Sequence, residues 1–328
     1  MESNEMLGEL QNAVYAINEN VPAHVKAGFF KALSRFGSAL LEIPIAKLEG
    51  VAQEIRSTNQ SREKLIGLVS ESIGSKIETA KDYSDFAVRN YSKKILREQL
   101  NIDAVSTVAA NELNSANYSN YNIPRSEISD EWLDEFESIC RNKSSEDMRT
   151  IFGKILAKEI INPDKVSLKT LRVVSQLEKN TAEYFLEFAK ICIYLKDSDG
   201  NIQSVLAPGF TSGPFKVYDF SCFNISPTCI IILDEFGLIN DTKEYEIPFM
   251  PKSSNSQKNY IQEFWIGNSK FSIEKTNALS KDKLSMGGKI LSSAGVDLFS
   301  ILSVEPNMNL LTRLTDYFSK ENFKLIRE

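Results

Sequence analysis

The sequence predicts a mainly helical protein with a smaller α+β part towards its C-terminal end. From residue 21 to residue 195 apolar side chains recur at steps of three and four, the spacing of one helix face. After residue 196 short apolar runs alternate with turn residues, which is typical of strands and hairpins. We therefore expect helical N-terminal and central regions, followed by a winged-helix-like C-terminal module.

The composition narrows the class of protein. The chain has 328 residues, of which 42% are hydrophobic and 25% charged, and these are ordinary values for globular proteins. Its net charge of −6 argues against a general attraction to nucleic acid or anionic lipid, although it leaves room for a local basic patch. The first residues lack the hydrophobic core of a signal peptide, and no apolar run is long enough for a membrane span. We expect a cytoplasmic protein with reduced cysteines and no cofactor.

The first 113 residues are predicted as a mobile lead-in followed by helices. Residues 1–20 carry four glutamates and no basic residue, and we expect them to be mobile or loosely helical. Residues 21–113 form the helical region, which begins with an amphipathic helix. Its apolar stripe consists of Val25, Phe29, Leu33, Phe36 and Leu40. We expect the stripe to pack against residues 61–115 or a second subunit, and the alternative is contact with a membrane surface.

The central region has the most regular pattern. Residues 114–128 are rich in Asn and Ser and are predicted as a polar linker. Residues 129–195 follow as a compact helical domain, in which Ser129 and Ser145 precede helices as N-caps. The helical spacing predicts one shared core of Trp132, Phe136, Phe152, Leu156, Leu168 and Leu171.

Residues 196–328 are predicted as the winged-helix-like α+β region. Pro227 opens a short helix that Gly237 ends. Gly267-Asn268 is a good hairpin turn between two β-rich runs. Further helices are expected over residues 285–291 and 310–318. The order helix, hairpin, helix predicts the winged-helix-like module.

Several motifs resemble a bacterial family catalogued as domain of unknown function 2806. The motifs are Trp132, Phe136, Ser144-Ser145-Glu146, Phe152-Gly153, Glu159-Ile160 and Thr170-Leu171-Arg172, with further similar fragments over most of the chain. Lys158 and the pair Asp164-Lys165 depart from the pattern, which has glycine at these places. The resemblance implies no assigned reaction. The helical segment is also distantly similar to modules of abortive-infection proteins in antiphage defence.

Candidate catalytic or metal-binding residues are few. His24 is the only histidine and has no acidic or cysteine neighbour in sequence. The sequence near it therefore supplies no partner residues for a catalytic triad or a metal site. The acids between Asp130 and Glu137 suit either a metal site or, better, the first turn of a helix. A helix cap explains Ser145 better than a nucleophile does, because no base is near. Arg172 either pairs with Glu159 or faces an anionic ligand.

These observations favour a non-enzymatic protein-interaction or scaffold protein with a protein partner or a homo-oligomeric state, and the resemblance adds antiphage defence as an expected role. The positions expected to carry structure or interaction are Phe29, Phe36, Trp132, Ser145, Glu159 and Arg172. One alternative is a DNA-binding accessory protein that uses the winged-helix-like region. The other is a membrane-perturbing effector that uses the N-terminal helix.

Overall fold

The chain divides into two compact units, residues 1–171 and residues 172–328. The computed structural model describes residues 17, 21–37, 81–118, 126–197, 200–212, 217–251, 262–276, 282–302 and 304–328. Apart from residue 17, the predicted lead-in lies outside the described residues, as do residues 38–80 and 119–125 of the predicted helical region and linker.

The first unit is helical wherever regular structure is described. Its helices are α1 (Ala23–Arg35), α2 (Lys81–Ser115), α3 (Asp130–Cys140), α4 (Glu146–Ile161) and α5 (Leu168–Ser175), the last of which crosses the unit boundary.

Serine caps start α3 and α4 where the sequence predicts them. The Ser129 hydroxyl accepts the Trp132 backbone N–H over 3.4 Å, and the Ser145 hydroxyl accepts the Met148 N–H over 3.3 Å. Each cap satisfies one of the N–H groups that the first helical turn leaves without an internal partner. Both predicted caps are therefore confirmed.

A glycine allows α4 to approach α2 closely. A Cβ atom added to Gly153 would lie 2.5 Å from the Val108 side chain and 2.9 Å from the Val105 carbonyl oxygen. Arg149, one turn earlier on α4, reaches Asn101 of α2, so the two helices run in the same direction. Helix α4 therefore begins at the level of Asn101 and covers only the C-terminal half of α2.

The second unit combines a sheet with several helices. Its elements are α6 (Lys179–Ala189), β1 (Ile193–Lys196), β2 (Ile202–Pro208), β3 (Phe210–Ser212), β4 (Val217–Asp219), α7 (Pro227–Glu235), β5 (Ile239–Phe249), β6 (Glu263–Ile266), β7 (Ser269–Lys275), β8 (Leu284–Leu291), α8 (Ser293–Phe299), α9 (Met308–Lys320) and β9 (Phe323–Arg327).

Seven of these described strands form one antiparallel sheet in the order β5-β8-β2-β1-β6-β7-β9. Strands β3 and β4 pair separately as a small hairpin. Phenylalanines fill the space between one face of the sheet and α9: the Phe264 ring lies 5.3 Å from Phe249 and 6.3 Å from Phe318, measured between centroids. Successive strand residues point to opposite faces, so Trp265 lies on the other face.

The predicted mainly-α class is wrong, because this seven-stranded sheet organises the C-terminal unit. The predicted winged-helix-like module is not confirmed: residues 284–291 form strand β8 where a helix is expected. Residues 193–196 form β1, although the helical domain is predicted to continue to residue 195. Short apolar runs fit a buried strand and a helix equally well, so periodicity gave the wrong answer here. The hairpin at Gly267-Asn268 and helices α7 and α9 lie where the sequence predicts them.

Candidate functional site

The aromatic side chains predicted as structural positions form the core of the first unit. Phe136 is central: its ring stacks on Trp132 at 5.0 Å and on Phe36 at 5.7 Å, and meets Phe152 edge-on at 5.9 Å. All four side chains are buried, as is Phe29. Of the six residues predicted to share one core, Leu168 is only half-buried and the other five are buried.

The amphipathic helix α1 buries its apolar stripe within the first unit. Val25, Phe29, Leu33 and Phe36 are buried, whereas Leu40 lies outside the described residues. The helix packs on α3 and α4, and not chiefly on the described part of residues 61–115 as expected. The described part of the stripe therefore serves as core.

The predicted acid cluster at the start of α3 forms ion pairs with α1. Asp130 lies 3.0 Å from the Lys31 ammonium and 3.3 Å from the Arg35 guanidinium, and Asp134 lies 2.7 Å from Arg35. The hydrogen bond from Lys31 lowers the pKa of Asp130, and that to Asp134 raises the pKa of Arg35. These acids therefore join two helices. Within the described ranges no group of three His, Cys, Asp or Glu side chains is arranged to hold a metal ion.

Glu159 and Trp132 together hold the turn that follows α4. The two carboxylate oxygens of Glu159 accept the backbone N–H groups of Asp164, at 2.7 Å, and Val166, at 2.8 Å. The indole N–H of Trp132 donates to the Val166 carbonyl oxygen over 2.7 Å. Both polar groups of the Val166 backbone are thus satisfied by side chains from neighbouring helices, as buried backbone groups require.

The same turn contains the pair Asp164-Lys165, where the resemblance noted above implies a glycine. Asp164 has a φ of +67°, a left-handed conformation that glycine adopts more easily than other residues. Its N–H bond to Glu159 stabilises that conformation. Glu159 is only 1% exposed, and this burial raises the pKa of its carboxyl to about 7, although the backbone N–H bonds act in the opposite direction.

Arg172 is exposed on α5 and belongs to the second unit. Its two expected roles, a pair with Glu159 and contact with an anion, stay predictions.

A polar network at Asn101 ties α2 to the turn between α3 and α4. The Asn101 side chain is buried, donates to the Arg141 carbonyl oxygen at 2.8 Å and accepts from the Arg149 guanidinium at 2.6 Å. Arg149 also donates to the Lys143 carbonyl oxygen. A lone asparagine in a helix gives no sequence signal for such a role, so this network could not be predicted from the sequence.

Beyond this network α2 exposes large apolar side chains. Tyr91 is 66% exposed, Ile95 45% and Leu96 53%. In the C-terminal half of α2 the stripe that continues Tyr91 and Ile95 is buried, at Ile102, Val105, Ala109 and Leu113. The change occurs because α4 begins at the level of Asn101. We refer to residues 90–97, whose described side chains are all exposed, as the exposed segment.

The exposed segment is also basic. Residues 89–97, RNYSKKILR, contain four basic residues and no acid, in a chain whose net charge is −6. Lys94 lies 3.7 Å from Glu98, whereas Lys93 and Arg97 have no carboxylate within 4 Å among the described residues. Over residues 61–115 as a whole, eight basic residues balance eight acidic ones, so the charge of that region gives no sign of this feature. A count over a window of nine residues reveals it.

The four cysteines are free thiols in the structure. Cys140 and Cys192 are buried, and this burial raises the pKa of each thiol above its ordinary value. Cys222 and Cys229 are half-buried. The two buried thiols therefore fill core positions and are poor nucleophiles.

Comparison with protein families matches residues 87–309 to the family described as "Protein of unknown function (DUF2806)". The match covers more than half of the chain. No curated protein and no solved structure matches the chain. None of the helices in the described ranges is long and apolar enough to cross a membrane.

Proposed function

The chain belongs to this family of proteins of unknown function, and we propose that it is a non-enzymatic interaction protein that binds an acidic protein partner through the exposed segment, residues 90–97. The observation that carries this proposal is the exposure of Tyr91, Ile95 and Leu96 beside Lys93 and Arg97, two cations with no carboxylate within 4 Å among the described residues. Contiguous exposed apolar residues on a folded protein mark interaction sites more often than isolated ones do.

The helical geometry indicates how a partner fits. Tyr91 and Ile95 are four residues apart on one face, so they present the anchors of a helix-in-groove or helix-on-helix contact. Helix α4 already covers the next part of the same stripe and approaches it closely at Gly153. A partner that covers Tyr91 and Ile95 extends this packing along α2.

The charges favour an acidic partner over a second copy of the chain. If two copies paired through this segment, Lys93, Lys94 and Arg97 of one copy would meet the same cations of the other, since residues 89–97 contain no acid. Like charges in contact across an interface are unfavourable. The carboxylates of an acidic partner would instead be attracted to each of these basic side chains.

The two alternatives from the sequence have less support. The DNA-binding alternative was assigned to the winged-helix-like region, where the structure has a seven-stranded sheet. The membrane alternative requires an exposed apolar stripe on α1, and the described part of that stripe is buried. No observation supports the role in antiphage defence.

The test compares the parent with two double variants, Tyr91→Ser/Ile95→Ser and Lys93→Glu/Arg97→Glu. Partners captured from an extract of the source cells are identified, purified and titrated against each protein by fluorescence anisotropy. We expect both variants to weaken binding at least tenfold, since interface anchors cost about 2 kcal/mol or more when truncated. A matched control, Lys169→Glu, changes an exposed lysine of α5 and leaves binding unchanged. Equal binding by all four proteins contradicts the proposal.

A further inference from the structure

Four side chains from three neighbouring strands meet on the sheet face opposite α9. Tyr194 of β1 pairs directly with Trp265 of β6, and Trp265 pairs with Lys270 of β7. Lys196 follows Tyr194 by two residues and so lies on the same face. The Tyr194 and Trp265 rings are nearly parallel, at an angle of 24° with centroids 6.3 Å apart. We refer to these four residues as the Trp265 cluster.

Trp265 is the accessible aromatic ring of the cluster. Tyr194 is buried, meets Phe299 of α8 edge-on and donates its hydroxyl to the Gly267 carbonyl oxygen. Trp265 is only half-buried, and its indole N–H has no hydrogen-bond partner in the part of the chain that the structure describes. Tyr194 and α8 thus form a wall beside the half-buried indole.

The two lysines of the cluster differ in their partners. Lys270 lies 2.7 Å from Glu263 and 3.3 Å from Glu328, and the hydrogen bond to Glu263 raises its pKa. Lys196 has no carboxylate partner among the described residues, although the antiparallel pairing of Tyr194 with Trp265 places it opposite Glu263. Its ammonium lies 5.7 Å from the Tyr194 ring centroid and 5.2 Å from that of Trp265, and the Lys270 ammonium also lies over the Trp265 ring, 5.8 Å from its centroid.

We propose that the Trp265 cluster binds a nucleotide unit, a planar heterocycle with one adjacent phosphate. The heterocycle stacks on the indole of Trp265, since aromatic side chains on an open sheet face accept the flat face of any base. The phosphate accepts a hydrogen bond from the Lys196 ammonium. A charge-assisted bond to phosphate is stronger than an exposed cation–π contact, so Lys196 leaves the ring as the base arrives.

The charges around the cluster limit the ligand to a single phosphate. Glu263 and Glu328 neutralise Lys270 and repel a second anionic group on that side. One accessible indole likewise provides stacking for one base. The ligand is therefore a nucleoside monophosphate or one nucleotide of a single strand, and this surface is separate from the exposed segment of the proposed function.

The experiment titrates the full chain with adenosine monophosphate, uridine monophosphate and a fluorescein-labelled octathymidylate. Calorimetry follows the mononucleotides and fluorescence anisotropy follows the oligonucleotide. We expect saturable binding that Trp265→Leu weakens roughly 5- to 150-fold, the range for loss of one base stack. Lys196→Met is expected to weaken it roughly tenfold or more, as for loss of a charged hydrogen bond. Trp265→Phe keeps an aromatic face and most of the binding.

The control variant is Lys320→Met, which removes an exposed lysine of α9 and leaves binding unchanged. Thermal melting of each variant shows that it is folded. Binding of the mononucleotides alone identifies a free nucleotide as the ligand, and binding of the oligonucleotide alone identifies a single strand. The proposal is overturned if the parent binds no probe, or if Trp265→Leu and Lys196→Met bind as the parent and Lys320→Met do.

Discussion

The buried carboxyl of Glu159 makes the stability of the first unit depend on pH. Burial raises its pKa from 4.5 to about 7. One pKa unit corresponds to about 1.4 kcal/mol, so the shift corresponds to roughly 3 kcal/mol. Below about pH 4.5 the group is protonated in both the folded and unfolded states, and this stability is complete. Between about pH 4.5 and about pH 7 only the unfolded chain releases the proton, so stability falls as pH rises.

The substitution Glu159→Gln tests this dependence because glutamine does not titrate. The amide nitrogen of glutamine is a donor, so one of the N–H groups of Asp164 and Val166 loses its acceptor at every pH. That loss costs about 1–3 kcal/mol and is independent of pH. The difference in free energy of unfolding between parent and variant should therefore shift by roughly 3 kcal/mol in favour of the variant as pH rises through the window.

Urea denaturation followed by circular dichroism, at intervals from about pH 4.5 to about pH 8, measures the difference. Glu131→Gln provides the matched control, because Glu131 is an exposed glutamate of the same unit. Its difference from the parent should be small and constant. A difference for Glu159→Gln that does not vary with pH would refute the reasoning, since it would mean that the N–H bonds fully offset the burial of the charge.

Three further predictions concern packing and the exposed segment. Gly153→Ala should lower the free energy of unfolding by about 1–3 kcal/mol, because the new methyl group overlaps Val108. Gly28→Ala should lower it by less, because its Cβ would lie 3.3 Å from Ile160. Equal melting temperatures of the two variants would contradict this prediction. Phe152→Ala should cost about 3–5 kcal/mol by calorimetry, and melting like that of the parent would exclude Phe152 from the core. Tyr91→Ser/Ile95→Ser should stay within about 0.5 kcal/mol of the parent by urea denaturation, as exposed sites do; a large loss would show that the chain covers these residues itself, against the proposed function.

Local signals made the described helices of the first unit predictable. Ser129 and Ser145 determine where α3 and α4 begin, and both act within three residues. The contacts of Phe136 with Trp132 and Phe152 were predictable from helical spacing, because α3 and α4 are adjacent in sequence. In contrast, the turn held by Glu159 depends on Asp164 in the left-handed region, which few non-glycine residues adopt and which no local pattern indicates.

The sheet was not predictable because its pairings join distant residues. Gly288 of β8 lies against the backbone of Ala207 in β2, an approach that only glycine permits and that no local pattern indicates. Ile193–Lys196 follows α6 almost directly and continues its apolar character, so it was read as helix. The exposed segment depends on where α4 starts along α2, and the Trp265 cluster on the register of β1 and β6. Neither can be derived from composition or periodicity.

The position of β1 in the sheet has a consequence for how the second unit folds. Of the described strands, the first in the chain is the central one, and the sheet extends from it in both directions. On one side the hairpin of β6 and β7 closes across only two residues, whereas on the other side Leu206 of β2 pairs with Ile290 of β8 across about half of the unit. Local contacts form faster than distant ones. We therefore expect the hairpin to gain protection from hydrogen exchange early and the β2–β8 pairing to complete the sheet late, which leaves the backbone of β2 open to wrong partners during folding.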